Sequence, residues 1–372
     1  MSERTSSETA TVDPRAGGLG RFQAVTAHRL FWPVVVLVAL VVANTIYRPG
    51  FLSIQVRQGH LYGSLIDIIR LSAPLILVAL GMTLVISTGG IDLSVGSVCA
   101  ISGAIACLYI SKQPDQNGMA GVLTALALAF GASLVLGAWN GVLVAVIGIQ
   151  PIIATLILMV AGRGVAQLIT EGQIITINSG PYKAIGVGHL LTLPLAIFIA
   201  LAGVLLVAAV TRRTALGMII EAVGGNARAS RLAGIRSARV TLLVYVISAA
   251  CAAIAGFMMT ANVSSADGNS AGLWVELDAI LAVVIGGTSL VGGRFSLGGT
   301  ILGALLIQTL TTTVYAMNIA PQTALLFKAI VVIIVCLIQA PAFRARLRRR
   351  RRRPGTPPAA VVADAPKEQV PA

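Results

Sequence analysis

The sequence has few charged residues and very few acids. Of its 372 residues only 11% are charged, and 13 aspartates and glutamates stand against 27 lysines and arginines. Because a soluble domain of this length carries charge at about a quarter of its positions, a soluble globular fold is excluded. The composition is instead 56% hydrophobic with a mean hydropathy of +0.90, and apolar runs long enough to span a bilayer recur along the chain.

The usual signatures of enzymes and metal sites are also missing from the sequence. All four cysteines lie in apolar stretches without CxxC or metal-ligand spacing, so we interpret them as small buried hydrophobes. The three histidines are scattered, and no HExxH or GxSxG motif occurs. There is no G-x-x-x-x-G-K-[ST] loop for nucleotide either. We therefore predict that the chain is not an enzyme and holds no cofactor or metal.

The apolar runs predict an all-α polytopic membrane protein with about ten transmembrane helices. The expected spans lie near residues 30–47, 66–88, 91–110, 121–147, 151–170, 190–210, 240–261, 277–293, 297–316 and 323–341. They form a transmembrane domain over 29–341. A polar segment over 1–28 and a basic, Pro/Ala-rich segment over 342–372 are predicted to be disordered tails.

The basic residues are concentrated in the two tails and in one central loop over residues 211–240. The positive-inside rule assigns this side to the cytoplasm. An even number of spans then puts both termini in the cytoplasm, and the chain is expected in the cell (inner or cytoplasmic) membrane. Orientation and contact with anionic lipid explain the net charge of +14, so no nucleic-acid partner is predicted.

The central loop reads TRRTALGMIIEAVGGNARASRLAGIRSARV and contains six arginines and one acid, Glu221. Asn226 is well placed to cap a short helix, and Gly234 to end it in a left-handed conformation. The preceding LGMIIEAV (216–223) predicts another short helix, with a turn at Gly224-Gly225. Leu232 lies on an apolar face beside Arg228 and Arg231. Such a helix either docks in a groove of a soluble partner or lies on anionic lipid and only sets the topology.

The loop resembles the coupling-helix motif of permease subunits in ATP-binding-cassette sugar importers, written here Ala222-Val-Gly-Gly-Asn226 and Ala233-Gly-Ile235. Other segments resemble the same family: GMTLVISTGGIDLSVGSV (81–98), WNGVLVAVIGIQPIIATL (139–156) and ELDAILAVVIGGTSLVGGRFSLGGTILGAL (276–305). Within it, MVAGRGVAQLITEGQ (159–173) and NSAGLWVELDAILAVVIGG (269–287) are most similar to galactofuranose importer permeases.

This resemblance implies the permease fold and a role in monosaccharide import. The expected partners are cytosolic ATPase subunits, a second permease subunit, the same or homologous, and an extracytoplasmic sugar-binding protein. ATP hydrolysis is then done by the partner chain. The residues expected to contact the ATPase are Glu221, Ala222, Gly224, Gly225, Asn226, Arg228, Arg231, Leu232 and Gly234.

Polar residues at membrane depth are costly and are candidates for the substrate pathway. The candidates are Asp92, Asn140, Gln150, Thr155, Arg163 and Gln308. Asp92 either caps the following helix or belongs to an inner gate. Arg163 pairs with Asp92, Glu276 or Asp278, or reaches sugar hydroxyls. Glu276 and Asp278 are expected to stabilise the N-terminus of their helix.

Two further functional classes compete with this interpretation. A secondary transporter driven by an ion gradient would need an intramembrane acid or histidine relay, for which only Asp92 is a candidate. A membrane scaffold or receptor that moves no solute is the other alternative. The central loop favours the permease over a secondary transporter, which would leave a loop folded for docking unexplained. Sugar-dependent ATPase stimulation without uptake would favour the scaffold or receptor.

Overall fold

The computed structural model describes residues 30–57 and 59–317, and helical residues at 323, 326, 328–330, 333 and 337. The helices are α1 (Phe31–Tyr47), α2 (Ser64–Ser87), α3 (Val95–Ser111), α4 (Met119–Val142), α5 (Pro151–Ile169), α6 (Gly180–Val187), α7 (Leu195–Arg213), α8 (Leu216–Gly225), α9 (Ala227–Leu232), α10 (Ser237–Val263), α11 (Val275–Ile285) and α12 (Leu297–Ala316). A π-helical turn, Leu143–Ile147, extends α4. The predicted tails lie outside the described residues, as does most of the predicted span 323–341.

Within the described residues, six helices are long and apolar enough to cross a membrane: α2, α4 with its π-helical turn, α5, α7, α10 and α12. The apolar helices α1 and α3 have 17 residues each, slightly fewer than the roughly 20 that a bilayer core requires. The predicted spans 151–170 and 297–316 agree closely with α5 and α12. Proline at the first position of α5 explains its sharp start.

The predicted span 277–293 is wrong in its second half. α11 ends at Ile285 after 11 residues, which at about 1.5 Å per residue is roughly half of a bilayer core. Glycines with left-handed backbones follow it at Gly287, Gly292 and Gly293, so the helix cannot continue. The segment before α11 contains a strand and turns rather than the outer half of a helix. α11 is therefore a half-span.

Helices α2 and α10 form the centre of the bundle. We compare how much of an 18-residue apolar stretch of each helix is buried: 78% in α2 and 61% in α10, but only 22% in α4 and in α7. The latter two helices therefore present most of their apolar surface outward. Gly81 of α2 lies against the backbone of Ser248 on α10, and Gly256 of α10 lies against the backbone of Cys99 on α3. Glycine permits these close helix contacts because it has no side chain to separate the backbones.

The connecting segments define two ends of the bundle. The basic end carries α8, α9 and the turns around residues 88–94 and 286–296. The opposite end carries α6 and three short antiparallel strand pairs: β1 (Gln55–Arg57) with β2 (His60–Tyr62), β3 (Ile174–Thr176) with β6 (Ser265–Asp267), and β4 (His189–Leu190) with β5 (Leu193–Pro194). The site residues predicted from the sequence are distributed between these ends.

Candidate functional site

Helices α8 and α9 form a helix–turn–helix at the basic end. The Asn226 Oδ1 accepts hydrogen bonds from the backbone N–H groups of Arg228 at 3.0 Å and Ala229 at 2.9 Å, which confirms the predicted N-cap. Gly234 has φ +87°, as expected for a left-handed stop. The predicted turn at Gly224-Gly225 is wrong, because α8 continues through Gly225 and the chain reverses at Asn226.

Two apolar side chains of this helix pair point away from the bundle, although Ile220 and Val223 of α8 are buried. Leu232 is 87% exposed and Met218 is 72% exposed. Arg228 and Arg231 are exposed beside them, and neither forms an ion pair within the described part of the chain. Burial of one such leucine against a partner stabilises a complex by about 1.5–3 kcal/mol before the costs of association. The surface of α9 thus has the apolar and cationic groups that the sequence predicted for docking.

Gly224 joins α8 to two glycine-rich turns. A Cβ atom on Gly224 would overlap the carbonyl oxygen of Ser87, and would lie 2.7 Å from the amide nitrogen of Gly293. The same amide of Gly293 donates to the Ser87 carbonyl at 2.9 Å. A Cβ on Gly225, the next residue, would meet nothing within 4 Å. Only the first of the two predicted coupling glycines is therefore required by packing.

The end of α8, the turn after α2 and the turn at Gly292-Gly293 make a second backbone contact. A Cβ on Gly292 would lie 2.9 Å from the Gly224 carbonyl oxygen and 3.0 Å from the Gly89 amide nitrogen. We call the group Ser87, Gly89, Gly224, Gly292 and Gly293 the glycine junction. Its contacts are made by backbone atoms, so a displacement of α8 has no flexible side chain to absorb it.

Two other predicted coupling residues support the same arrangement. The Glu221 Oε1 accepts the backbone N–H of Phe295 at 3.5 Å, just beyond the glycine junction. The carbonyl oxygen of Ala222 accepts the Asn226 N–H at 3.0 Å and so closes the last turn of α8. Glu221 connects α8 to the loop before α12, whereas Ala222 contributes through its backbone.

Three of the six predicted pathway residues meet around the turn between α2 and α3. Asp92 is buried, and its Oδ1 accepts from the Ser94 N–H at 3.0 Å and the Ser94 hydroxyl at 2.6 Å. The Asn140 Nδ2 donates to the Ser94 Oγ at 2.8 Å, and the Thr155 hydroxyl donates to the Ile91 carbonyl at 3.1 Å. The expectation that Asp92 caps α3 needs correction, because Ser94 occupies the N-cap position and Asp92 fixes the turn before it.

The other three predicted pathway residues lie elsewhere. Gln150 is exposed immediately before α5, and Gln308 lines a cavity toward the opposite end. The Arg163 Nη1 donates to the backbone carbonyls of Ala271 at 2.5 Å and Gly268 at 3.4 Å. No carboxylate lies within ion-pair distance of Arg163 among the described residues, so its predicted pairing with an acid is wrong.

The two acids at the start of α11, Glu276 and Asp278, differ in their partners. The Asp278 carboxylate pairs with the Lys328 ammonium at 2.8 Å, a partner that sequence reasoning did not identify. Glu276 is buried, and its Oε2 has no hydrogen-bond partner in the described residues. Both acids do lie in the first turn of α11, where a negative charge is favoured by the helix dipole.

Sequence reasoning also missed Ser248 and Tyr245 on α10. The Ser248 hydroxyl donates to the second carboxylate oxygen of Asp92 at 2.9 Å. The Tyr245 hydroxyl is buried beside Gly90 and has no partner in the described residues. Their spacing of three residues places both on one face within the apolar middle of α10, and this is the signal that could have revealed them.

A cavity of about 700 Å³ separates α9 from this polar turn at the basic end. Its walls include Thr88 and Gly90 of the turn, Tyr245 of α10, the π-helical turn of α4, and Arg231 of α9. The cavity therefore lies between the exposed surface of α9 and the turn that holds Asp92, and Gly89 of the glycine junction is also in its wall.

Comparison with known proteins identifies similar chains. The family described as the branched-chain amino acid transport system / permease component matches residues 64–336. The galactofuranose transporter permease protein YtfT of Escherichia coli (strain K12) is 47% identical over 85% of this chain and 92% of its own length. The fructose import permease protein FruF of Bifidobacterium longum is 42% identical, over 88% and 92%. The ribose import permease protein RbsC of Escherichia coli (strain K12) is 36% identical, over 82% and 91%. No solved structure matches the chain.

Proposed function

This chain belongs to the permease component family of branched-chain amino acid transport systems, among its sugar ABC permeases, and we propose that it forms the pathway for a monosaccharide. The sugar is delivered by an extracytoplasmic binding protein, and import is driven by ATP hydrolysis in separate ATPase subunits. The proposed sugar is galactofuranose, which the name of the 47% identical relative specifies. The observation that carries the proposal is the exposed α9 surface joined through Gly224 to the buried turn at Asp92.

The proposed coupling route begins at the exposed surface of α9. Leu232, Arg228 and Arg231 enter a groove of the ATPase, and Asn226 with Gly234 holds α9 in shape. α8 transmits the movement through Glu221, Ala222 and Gly224, whereas a Cβ on the adjoining Gly225 would meet no neighbour. The glycine junction then shifts the turns that flank the polar network of Asp92, Asn140 and Thr155. Support for this route comes from the exposure of Leu232 and the backbone contacts of Gly224.

The proposed topology has ten spans with both termini in the cytoplasm of a cell-membrane protein. The tails 1–28 and 342–372 then lie on the same side as the central loop 211–240. Among the described residues, six span-capable helices and the two 17-residue apolar helices α1 and α3 support a multi-pass arrangement. The concentration of arginines at the basic end supports a cytoplasmic assignment for that end.

The proposed assembly contains a second permease subunit, either identical or homologous, surrounded by membrane lipid. The outward apolar surfaces of α4, α5 and α7 support this part of the proposal. In each of these helices, at most 28% of the 18-residue apolar stretch is buried within the single chain. A second permease and lipid would cover what remains.

Uptake by purified complex in proteoliposomes tests the proposed function. We expect monosaccharide to enter only when ATP is supplied on the ATPase side and the binding protein on the other side. A proton or sodium gradient alone should give no uptake. Uptake driven by such a gradient without the ATPase would instead support a secondary transporter. Sugar-dependent ATP hydrolysis without uptake would support a receptor.

A further inference from the structure

A second cavity lies toward the opposite end, inside one subunit, and has a volume of about 250 Å³. Its walls come from α2, α6, α7, α10, α11 and α12. Pockets for drug-sized ligands occupy roughly 300–1,000 Å³, so this cavity suits a smaller solute. It is separate from the larger cavity at the basic end, with which it shares no lining residue.

The cavity contains polar groups that an apolar membrane core would not retain without a reason. Arg70, Asn262, Asp278 and Gln308 all line it. The Arg70 Nη1 donates to the Asn262 Oδ1 at 2.7 Å, and the Asp278 carboxylate is held by Lys328. The Gln308 amide lies on the wall of the cavity. It forms no hydrogen bond with the described part of the chain. That amide can both donate to and accept from a bound solute.

The backbone of α2 supplies another acceptor at this cavity. Pro74 lies inside α2, and it lacks the N–H that would bond to the carbonyl of Arg70 one turn earlier. Both residues line the cavity. Met258 and Met259 provide an apolar wall on α10, and methionine adapts to solutes of different shape.

The charges around the cavity largely neutralise one another. Asp278 is matched by Lys328, and the Arg70 Nε lies 3.4 Å from the Asp67 carboxylate. A bound ion would have no uncompensated opposite charge to meet. The groups that remain available are an amide and backbone or side-chain hydrogen-bonding atoms, and these suit a neutral solute rich in hydroxyl groups.

We propose that this cavity is a monosaccharide-binding site within the single permease subunit, with Gln308 as a ligand-contacting residue. The inference rests on the proposed import of a monosaccharide and deepens it, because it locates one position of the sugar on its path. The sugar is held weakly by the Gln308 amide and by the polar atoms around Arg70 and Asn262. Weak binding is required, since a passenger must leave the site again.

Cysteine protection tests this site without relying on transport. Gln308→Cys and Thr309→Cys are each placed in the full chain of the reconstituted complex and treated with a small thiol reagent. The native Cys99, Cys107 and Cys251 are buried, and the unsubstituted chain gives the background labelling. We expect Gln308→Cys to react, and the imported monosaccharide to slow its reaction severalfold, whereas sucrose, a disaccharide too large for the cavity, has no effect.

Thr309→Cys is the matched control, because Thr309 is buried on the same helix and does not line the cavity. Its labelling should be slow and independent of sugar. Absence of labelling at Gln308→Cys, or labelling that the imported sugar leaves unchanged, would overturn the inference. Uptake by the unsubstituted complex in the same vesicles separates this outcome from a failure of the proposed function.

Gln308→Leu provides a second, kinetic measurement. Loss of one neutral hydrogen bond should raise the KM for sugar about two- to tenfold. Gln173→Leu is the control, because Gln173 is an exposed glutamine in a bend and does not line the cavity. An unchanged KM in Gln308→Leu would contradict the assignment of Gln308 as a sugar contact.

Discussion

At the residue scale, the Asp92 carboxylate holds the turn between α2 and α3 in place. It accepts three hydrogen bonds, two from Ser94 and one from Ser248. Ser94 also accepts from Asn140, so the turn, α4 and α10 meet through one small polar network. Networks of this kind favour a single geometry, since each unsatisfied member would be costly in a membrane interior.

Asp92→Asn should weaken this turn. The amide has one acceptor oxygen where the carboxylate has two, so at least one bond from Ser94 or Ser248 is lost, at a cost of about 1–3 kcal/mol for a buried group. We expect a lower melting temperature of the purified permease in detergent. Asp115→Asn is the control, because Asp115 accepts a single bond from the Asn117 N–H in an exposed turn, and it should melt like the wild type.

Asn226→Ala removes the side chain that caps α9. The expected loss is about 1 kcal/mol of helix stability, which should lower the affinity for the ATPase rather than the thermal stability of the bundle. Asn226→Ser retains an oxygen acceptor and should restore most of the affinity. Binding of the ATPase to immobilised permease measures both variants, and equal affinities for Ala and Ser would show that the cap is unimportant.

The residues of the central loop were more predictable than those inside the membrane. Asn226 and Gly234 could be assigned because capping and left-handed stops depend on local sequence. The partners of Arg163 could not, because nothing local to α5 indicates that the Gly268 and Ala271 carbonyls approach it. The identity of a buried polar partner depends on tertiary packing, which a single sequence does not report.

At the element scale, α8 and α9 act as a small folded unit that links the outer surface of the basic end to the glycine junction. α9 has only six residues, too few for a stable isolated helix. Its caps and its packing against α8 therefore maintain its shape. A unit held in this way can transmit a push without unfolding.

Leu232→Asp should disrupt docking. The side chain is 87% exposed, so the substitution costs the isolated permease little, but it puts an uncompensated charge into the proposed groove of the ATPase. We expect at least a tenfold weaker complex by quantitative pull-down. Leu191→Asp is the control, since Leu191 is 82% exposed at the opposite end, and ATPase binding should be unaffected. Equal binding by the two variants would contradict the docking role of α9.

The half-span α11 shows where hydropathy alone is insufficient. The apolar residues continue to Val291, which is why a full span was expected, but Gly287, two residues after Ile285, adopts a left-handed backbone and the helix ends there. Irregular backbone at membrane depth is tolerated where protein surrounds it. Gly286 and Gly299 are in close contact, so the ends of α11 and α12 provide that cover.

At the scale of the whole molecule, the bundle presents different surfaces at its two ends, and the arginines of the central loop lie at one of them. The basic end carries the exposed surface of α9 and the larger cavity. The opposite end carries short strand pairs and the smaller cavity. This division agrees with a protein that receives sugar at one face and chemical energy at the other.

Replacement of the arginines at 348–353 by serine should leave sugar uptake within about twofold of wild type once insertion is normal. This run is proposed to act as a topology and lipid signal. Uptake in proteoliposomes, normalised to inserted permease, gives the comparison. A complete loss of uptake with normal insertion would show that the tail takes part in transport.

The central claim is that Gly224 transmits the movement of the ATPase to the membrane turns, and neighbouring glycines provide its most direct test. Gly224→Ala and Gly225→Ala gain the same helix propensity, but only the first Cβ meets the Ser87 carbonyl. The measurement is sugar imported per ATP hydrolysed by the reconstituted complex. We predict a severalfold lower ratio for Gly224→Ala and a wild-type ratio for Gly225→Ala. Equal ratios in the two variants would contradict this account.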